Sequence, residues 1–224
     1  MSIKTSRCSW LESLAFAVAI LPALPAFASE APFSAELASI QQSWDQASYR
    51  SASAADKETQ LAALSTRSEA LARKYPGSAE PLVWEGIVLS SYAGAKGGIG
   101  ALALAKKSRD ALLEATRIDP TALNGSAYTS LGALYYKVPG WPVGFGDDDK
   151  AAGYLRKALA LNPDGMDPNY FLGEFLFEQG EYGSSLQHLQ KALEAPPRPD
   201  RPFADAGRRT EINTLLTKVR EKLR

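Results

Sequence analysis

A six-residue block ending in proline recurs along this chain, from Ala115 to Pro120, from Ala158 to Pro163 and from Ala192 to Pro197. A glycine inside an apolar run precedes each block, at Gly86, Gly132 and Gly173. Glycine lets two helices touch backbone to backbone, and the small alanine does the same between neighbouring units. Proline stops the helix so that the next unit can begin. Recurrence of that set predicts helical hairpins stacked side by side, each burying its apolar face only against its neighbours. The expected fold class is therefore all-α.

Helical periodicity fills in the units. Leu37, Ile40, Trp44 and Ala47 share one helix face within residues 33–50, and Leu61, Leu64, Leu71 and Tyr75 share another within residues 56–75. Further helices are predicted over residues 79–92, 101–118, 123–137, 147–161, 168–179 and 182–193. Residues 93–100 hold four glycines in eight positions and predict an enlarged loop, as does the Gly/Pro/aromatic stretch at 138–146. Pro196, Pro197, Pro199 and Pro202 make residues 195–202 a linker. A last helix over 205–224 carries Ile212, Leu215, Leu216, Val219 and Leu223 on one face, suited to capping the final hairpin.

The run Leu172, Gly173, Leu176, Ser185, Leu189, Ala192 and Pro197 resembles the tetratricopeptide repeat, and Leu131, Gly132, Tyr135, Ala151, Leu155, Ala158 and Pro163 repeat it with a longer loop. Gly86, Leu89, Leu112, Ala115 and Pro120 form an earlier copy, with Glu85 where the family usually has leucine. The helices around Trp44 and over 56–75 look like a further, degenerate unit. The resemblance covers about residues 33–200 and implies a solenoid of three to four hairpins with a C-terminal capping helix. The segment from Lys137 to Ala152, with the leader described below, is also similar to exported tetratricopeptide proteins akin to the T component of TRAP transporters. That likeness implies an accessory small-ligand-binding protein and association with a transporter substrate-binding protein.

Lys4 and Arg7, the apolar run Leu14–Leu24 and the small-x-small site Ala26-Phe27-Ala28 predict a secretory signal peptide over residues 1–28. Residues 29–202 are then the repeat domain and 203–224 the capping helix, exported to the periplasm. Cys8 lies upstream of the apolar run and is not placed as a lipobox cysteine, which T-component relatives typically carry. The chain has 25 basic and 25 acidic residues, and a near-neutral balance argues against nucleic acid as a partner. No later segment is long and apolar enough to span a membrane.

No catalytic or metal-binding constellation emerges, and no cofactor is expected. Consecutive carboxylates at Asp147, Asp148 and Asp149 would suit a hard cation, yet at a helix start they are better read as cap and first-turn acids. Residues 94–100 lack the Gly-Lys-Ser/Thr ending of a phosphate loop. His188 has neither a second histidine nor a mature-chain cysteine to join, and reads as a rim residue. Arg198, Arg201, Arg208 and Arg209 suit either an anionic partner or the nearby Asp200, Asp205 and Glu211. The first helix of each hairpin lines the concave face in this family. Counting from the glycines puts Val83, Ile87, Thr129, Tyr136, Lys137, Tyr170, Glu174 and Phe177 there. Tyr136, Tyr170 and Phe177 are candidate aromatic anchors for a protein or peptide partner, with Lys137 and Glu174 beside them. Trp141 and Phe145 form a second candidate surface on the 138–146 loop. A scaffold that binds a protein or peptide is the function expected.

Overall fold

The computed structural model describes residues 32–224, so the predicted leader lies outside the described residues. Among the described residues there are nine helices and no strand. They are α1 (Ser34–Tyr49), α2 (Ala54–Lys74), α3 (Ala79–Lys96), α4 (Gly98–Ile118), α5 (Ala122–Lys137), α6 (Asp148–Leu161), α7 (Met166–Glu178), α8 (Tyr182–Glu194) and α9 (Pro202–Lys222). Consecutive helices pair as four hairpins, α1/α2, α3/α4, α5/α6 and α7/α8, and each hairpin packs on the next. Helix α9 follows as a solitary final element. No helix among the described residues is long and apolar enough to cross a membrane.

The same contact builds three of the hairpins. Gly86 faces Leu112, Gly132 faces Leu155 and Gly173 faces Leu189. A Cβ placed on Gly132 or Gly173 would lie 2.5 or 2.8 Å from the leucine Cγ, closer than real side chains approach. The leucine follows a small residue by four positions and precedes an alanine by three: Ser108-Leu112-Ala115, Ala151-Leu155-Ala158 and Ser185-Leu189-Ala192. All nine are fully buried. Where the small residue is serine, its hydroxyl donates to the carbonyl of the glycine across the hairpin, Ser108 to Gly86 (2.6 Å) and Ser185 to Gly173 (2.7 Å). One face of the second helix thus serves as the docking stripe for the first.

Caps mark several starts. Ser53 accepts from the Asp56 N–H, and Asp147 accepts from the Lys150 N–H at 3.0 Å. Asp148 and Asp149 then occupy the first turn of α6, where the helix dipole favours negative charge. The aspartate run is thereby explained as cap and first-turn acids.

Two stretches depart from the sequence expectation. The predicted loop over 93–100 is almost absent: α3 continues to Lys96, only Gly97 lies outside a helix, and α4 begins at Gly98. Gly97 and Gly98 take φ of 62° and 63°, so the chain reverses on two residues that glycine alone occupies without penalty. The extra length of this unit goes into longer helices, held by their mutual packing despite the glycines. The second departure is at the start of α5. Leu123, Asn124 and Gly125 all lie in the left-handed region, at φ 49°, 55° and 76°, so the regular right-handed helix begins only after Gly125. Left-handed backbone costs a non-glycine residue about 1–2 kcal/mol. Gly125 is also crowded, since a Cβ there would lie 2.7 Å from Leu161 Cδ1.

Glycines of opposite environment give a direct test. Gly132→Val should destabilise the protein by about 1–3 kcal/mol through overpacking against Leu155. Gly153 lies inside α6 with open space where a Cβ would go. Gly153→Ala should therefore stabilise by about 0.5–1 kcal/mol. Urea-unfolding midpoints of the two variants check both signs.

Candidate functional site

The first helices of the four hairpins, α1, α3, α5 and α7, all contribute to one concave wall, as the family resemblance implied. The segment after α8 does more than cap the last hairpin. Residues 195–201 and the first half of α9 run across that wall and turn it into a cavity of about 530 Å³. Trp44, Trp84, Leu123, Thr129 and Phe171 line it from the hairpins, and Arg201 and Ala204 from the segment that follows α8.

Arginine side chains fasten this roof. Arg201 forms an ion pair with Asp45 of α1, and both are largely buried. Its guanidinium carbon lies 4.9 Å from the Trp84 ring centre and 5.5 Å from that of Trp44, adding cation–π attraction. The two tryptophans meet edge to face at 5.9 Å, and the Trp44 N–H donates to Ser91 Oγ at 2.8 Å. Gly207 of α9 backs onto the ring of Tyr49, leaving no room for a side chain. Burial pushes the Tyr49 phenol up to about 12. Arg50 lies 4.3 Å over the Phe203 ring on the outside of the same junction.

A second cluster ties the same segment to α7. Asp167 receives Arg208 Nε (2.9 Å) and Arg198 Nη1 (2.8 Å), while Arg198 Nε also donates to Asp205 (2.6 Å). Arg208 pairs with Glu211 and lies 4.5 Å from the Tyr170 ring centre. Burial works to raise the Asp167 carboxyl, but Arg208 and then Arg198 outweigh it and hold it below the ordinary aspartate value. Arg209 donates to the carbonyls of Leu193 and Ala195, finishing the C-terminus of α8. All four arginines are thus committed to holding the chain's own segments together.

Tyr136, Lys137, Tyr170 and Glu174 come together as a hydrogen-bonded group joining α5 to α7. Tyr136 donates to Glu174 Oε2 at 2.7 Å, Lys137 lies 2.9 Å from the same oxygen, and Tyr170 donates to Oε1 at 3.2 Å. Burial would raise the Glu174 carboxyl, but Lys137, with its hydrogen bond and that from Tyr136, keeps it below the usual range. The Tyr136 and Tyr170 hydroxyls are pushed well up, by burial first and then by the adjacent Glu174 charge. These four residues lie outside the cavity wall. Phe177 is partly buried, tilted against Tyr182 at 5.5 Å. His188 pairs with the fully buried Asn169: Asn169 Nδ2 donates to the Pro163 and Gly165 carbonyls, which leaves its Oδ1 to accept from His188 Nδ1 at 3.1 Å.

The two loop aromatics separate. Phe145 packs inward on Tyr135, ring centres 5.4 Å apart, under the Arg109 guanidinium at 4.6 Å. Trp141 is 90% exposed and Val143 67% exposed. The loop presenting them is tightly bound to itself, with Val143 and Gly144 N–H donating to the Gly140 carbonyl and Gly146 N–H to that of Pro139. Gly144 and Gly146 press on the Val138–Pro139 backbone so closely that no side chain fits. Trp141 is therefore displayed on a rigid support. Sequence reasoning named this loop, the concave helices and Arg201, but missed Asp45 and Trp84, the distant residues that Arg201 meets.

These features define a helical-hairpin solenoid of the tetratricopeptide type, its concave side roofed by its own C-terminal segment. Residues 144–206 match the tetratricopeptide repeat family model. The fold is similar to that of TTC0263, a thermophilic TPR protein of Thermus thermophilus, with a TM-score of 0.54 at 16% identity over 80% of this chain and 88% of that one. A structure of MamA is also similar, with a TM-score of 0.44 and 19% identity over 73% of this chain and 89% of that one. None of the curated proteins compared with the chain matches it.

Two outcomes check the roles given to the charged residues. Arg201→Met leaves Asp45 buried without a partner and should cost about 3–5 kcal/mol, with part of the loss recovered by adding Asp45→Leu. Chemical denaturation of the singles and the double measures this. Asp167 has a folded-state pKa below its unfolded one, so its contribution is present above the ordinary aspartate value of about 3.9 and is lost as pH falls beneath it. Urea midpoints followed down to about pH 2 should drop less steeply for Asp167→Asn than for the parent.

Proposed function

We propose that the protein is an exported, non-catalytic tetratricopeptide-type scaffold that binds a partner protein through its 138–147 loop. The observation that carries this reading is the Trp141 indole, held in solvent on a loop with no slack. A large aromatic ring carried on a backbone already braced costs little backbone entropy on docking, and such rings dominate binding energy at interfaces. The partner chemistry that fits is an apolar socket on a folded surface, able to take Trp141 with Val143 beside it. The non-catalytic part rests on the occupation of Asp147, Asp167 and Glu174 in capping and ion pairs. Export to the periplasm rests on the leader pattern of residues 1–28.

A second reading, an accessory small-ligand protein of a TRAP-type transport system, draws on the roofed cavity and on the likeness of the 137–152 segment. In that case the docked partner would be a transporter substrate-binding protein.

Cross-linking capture from periplasmic extract tests the first reading. The parent should enrich a defined protein that Trp141→Ala loses, while the stability of the variant stays within about 0.5 kcal/mol of the parent. Equal capture by both proteins, or capture of nothing, overturns the loop as the docking element.

A further inference from the structure

Two arginines of the segment after α8 reach the hairpins from a single turn. The Arg201 N–H donates to the Arg198 carbonyl at 3.0 Å, with Pro199 and Asp200 at the centre of the turn. Proline in that place fixes the backbone in advance. From the two ends of the turn the guanidiniums go to different helices. Arg201 pairs with Asp45 of α1 against the rings of Trp44 and Trp84, and Arg198 donates to Asp167 of α7 at 2.8 Å. Among the described residues, no backbone hydrogen bond joins residues 196–201 to α1, α3, α5 or α7. The polar contacts that hold the turn on the wall are therefore made by its arginine side chains, and the carboxylate seats belong to the hairpins.

The fit of this turn is incomplete. Arg201 Nε and Trp84 Nε1 are buried in the contact between the two side chains, and neither has an acceptor. Asp200 lines the cavity from the middle of the turn and has no hydrogen-bond or ion-pair partner among the described residues. Beneath it, Trp44, Ile87, Leu123 and Phe171 stay only half-buried around the cavity of about 530 Å³. Protein interiors are ordinarily close-packed, so this wall has apolar surface that its own turn leaves uncovered. A turn with an apolar side chain in place of Asp200 would present the same two guanidiniums and bury that surface as well.

We propose that the concave wall is a receptor for an Arg-Pro-X-Arg turn with an apolar residue at X, presented by a partner protein, and that residues 198–201 are its resident stand-in. The partner's turn enters by exchange. Opening alone would leave Asp45 buried without a counter-charge, whereas one guanidinium replacing another keeps the pair. The tether gives the chain's own turn an effective concentration of about millimolar, so an incoming turn needs the additional apolar contacts to win. The second half of α9 stays fixed during exchange, because Ile212, Leu215, Leu216 and Val219 pack with Leu189 and Ala192 in a cluster of their own. This surface is distinct from the Trp141 loop, and the proposal does not depend on docking there.

Fluorescence anisotropy with the full-length protein tests the proposal. The probe is a labelled peptide of residues 196–203 carrying Asp200→Phe, and the control peptide carries Arg198→Gln and Arg201→Gln in addition. The probe should bind saturably and the control at least ten-fold more weakly. In the full-length protein, Arg198→Gln loosens the resident turn while Arg201 still pairs with Asp45 and Arg208 with Asp167. That variant should bind the probe at least five-fold more tightly than the parent, and binding by the variant alone supports the proposal equally. At saturation, amide hydrogen exchange should quicken over residues 203–208 while residues 212–219 stay protected. The proposal is overturned if neither protein binds the probe, if the arginine-free control binds as well, or if the variant binds no more tightly than the parent. It is overturned too if the probe saturates without quickening exchange over 203–208, since the peptide then sits elsewhere.

Discussion

The structure depends on one steric bargain made three times, a glycine of the first helix pressed against a leucine of the second. At Gly86, Gly132 and Gly173 the approach is too close for any side chain, and the three leucines, Leu112, Leu155 and Leu189, are fully buried. This contact sets how far apart the helices of a hairpin sit. The following alanines, Ala115, Ala158 and Ala192, are also fully buried beside those leucines. With that spacing fixed, the first helices fall side by side and create a shared inner wall. Everything proposed for the concave side presupposes it.

What is local in the sequence was legible, because these contacts repeat at short range. Glycine, leucine, alanine and proline within one hairpin announce themselves by spacing, and eight helix positions together with the final capping helix follow. The stretch over 93–100 misled because glycine content argues from the isolated chain, where it disfavours helix. Packing of α3 along α4 overrides that preference, and the glycines serve a two-residue reversal instead. The left-handed start of α5 left no signal beyond an Asn-Gly pair, which many turns share. The ion pair of Arg201 with Asp45 joins residues 156 positions apart, and no local pattern encodes such a meeting. Among the candidate residues, Tyr136, Lys137, Tyr170 and Glu174 bond to one another outside the cavity wall, a meeting that counting along the helices did not foresee. Trp141 and Phe145, equivalent in composition, differ because only Phe145 finds an aromatic neighbour, Tyr135, to lie against.

Charge in this protein is chiefly architectural. Arg198, Arg201 and Arg208 all lie at the concave side, where the sequence left both an anionic partner and the chain's own carboxylates open. Each instead ties the C-terminal segment to a carboxylate on another helix or on its own. Aromatic faces lie beneath two of them, Trp44 and Trp84 under Arg201 and Tyr170 under Arg208, so that each cation is held by packing as well as by charge. Two buried donors of this region stay unpaired, Trp84 Nε1 and Arg201 Nε, and both lie in the contact between the arginine and the tryptophan rings.

An open stack of repeats behaves as a spring, each unit knowing only its neighbours and free to fray from either end. Here the Arg201–Asp45 clasp, with Gly207 seated on Tyr49, fastens the final segment to the opening helix. The terminal hairpins thereby forfeit their independence. Loosening α1 also exposes the underside of α9, so melting should spread through the array as a single event instead of unzipping rung by rung. A latch of this sort trades the elastic breathing of a solenoid for the all-or-none behaviour of a globule.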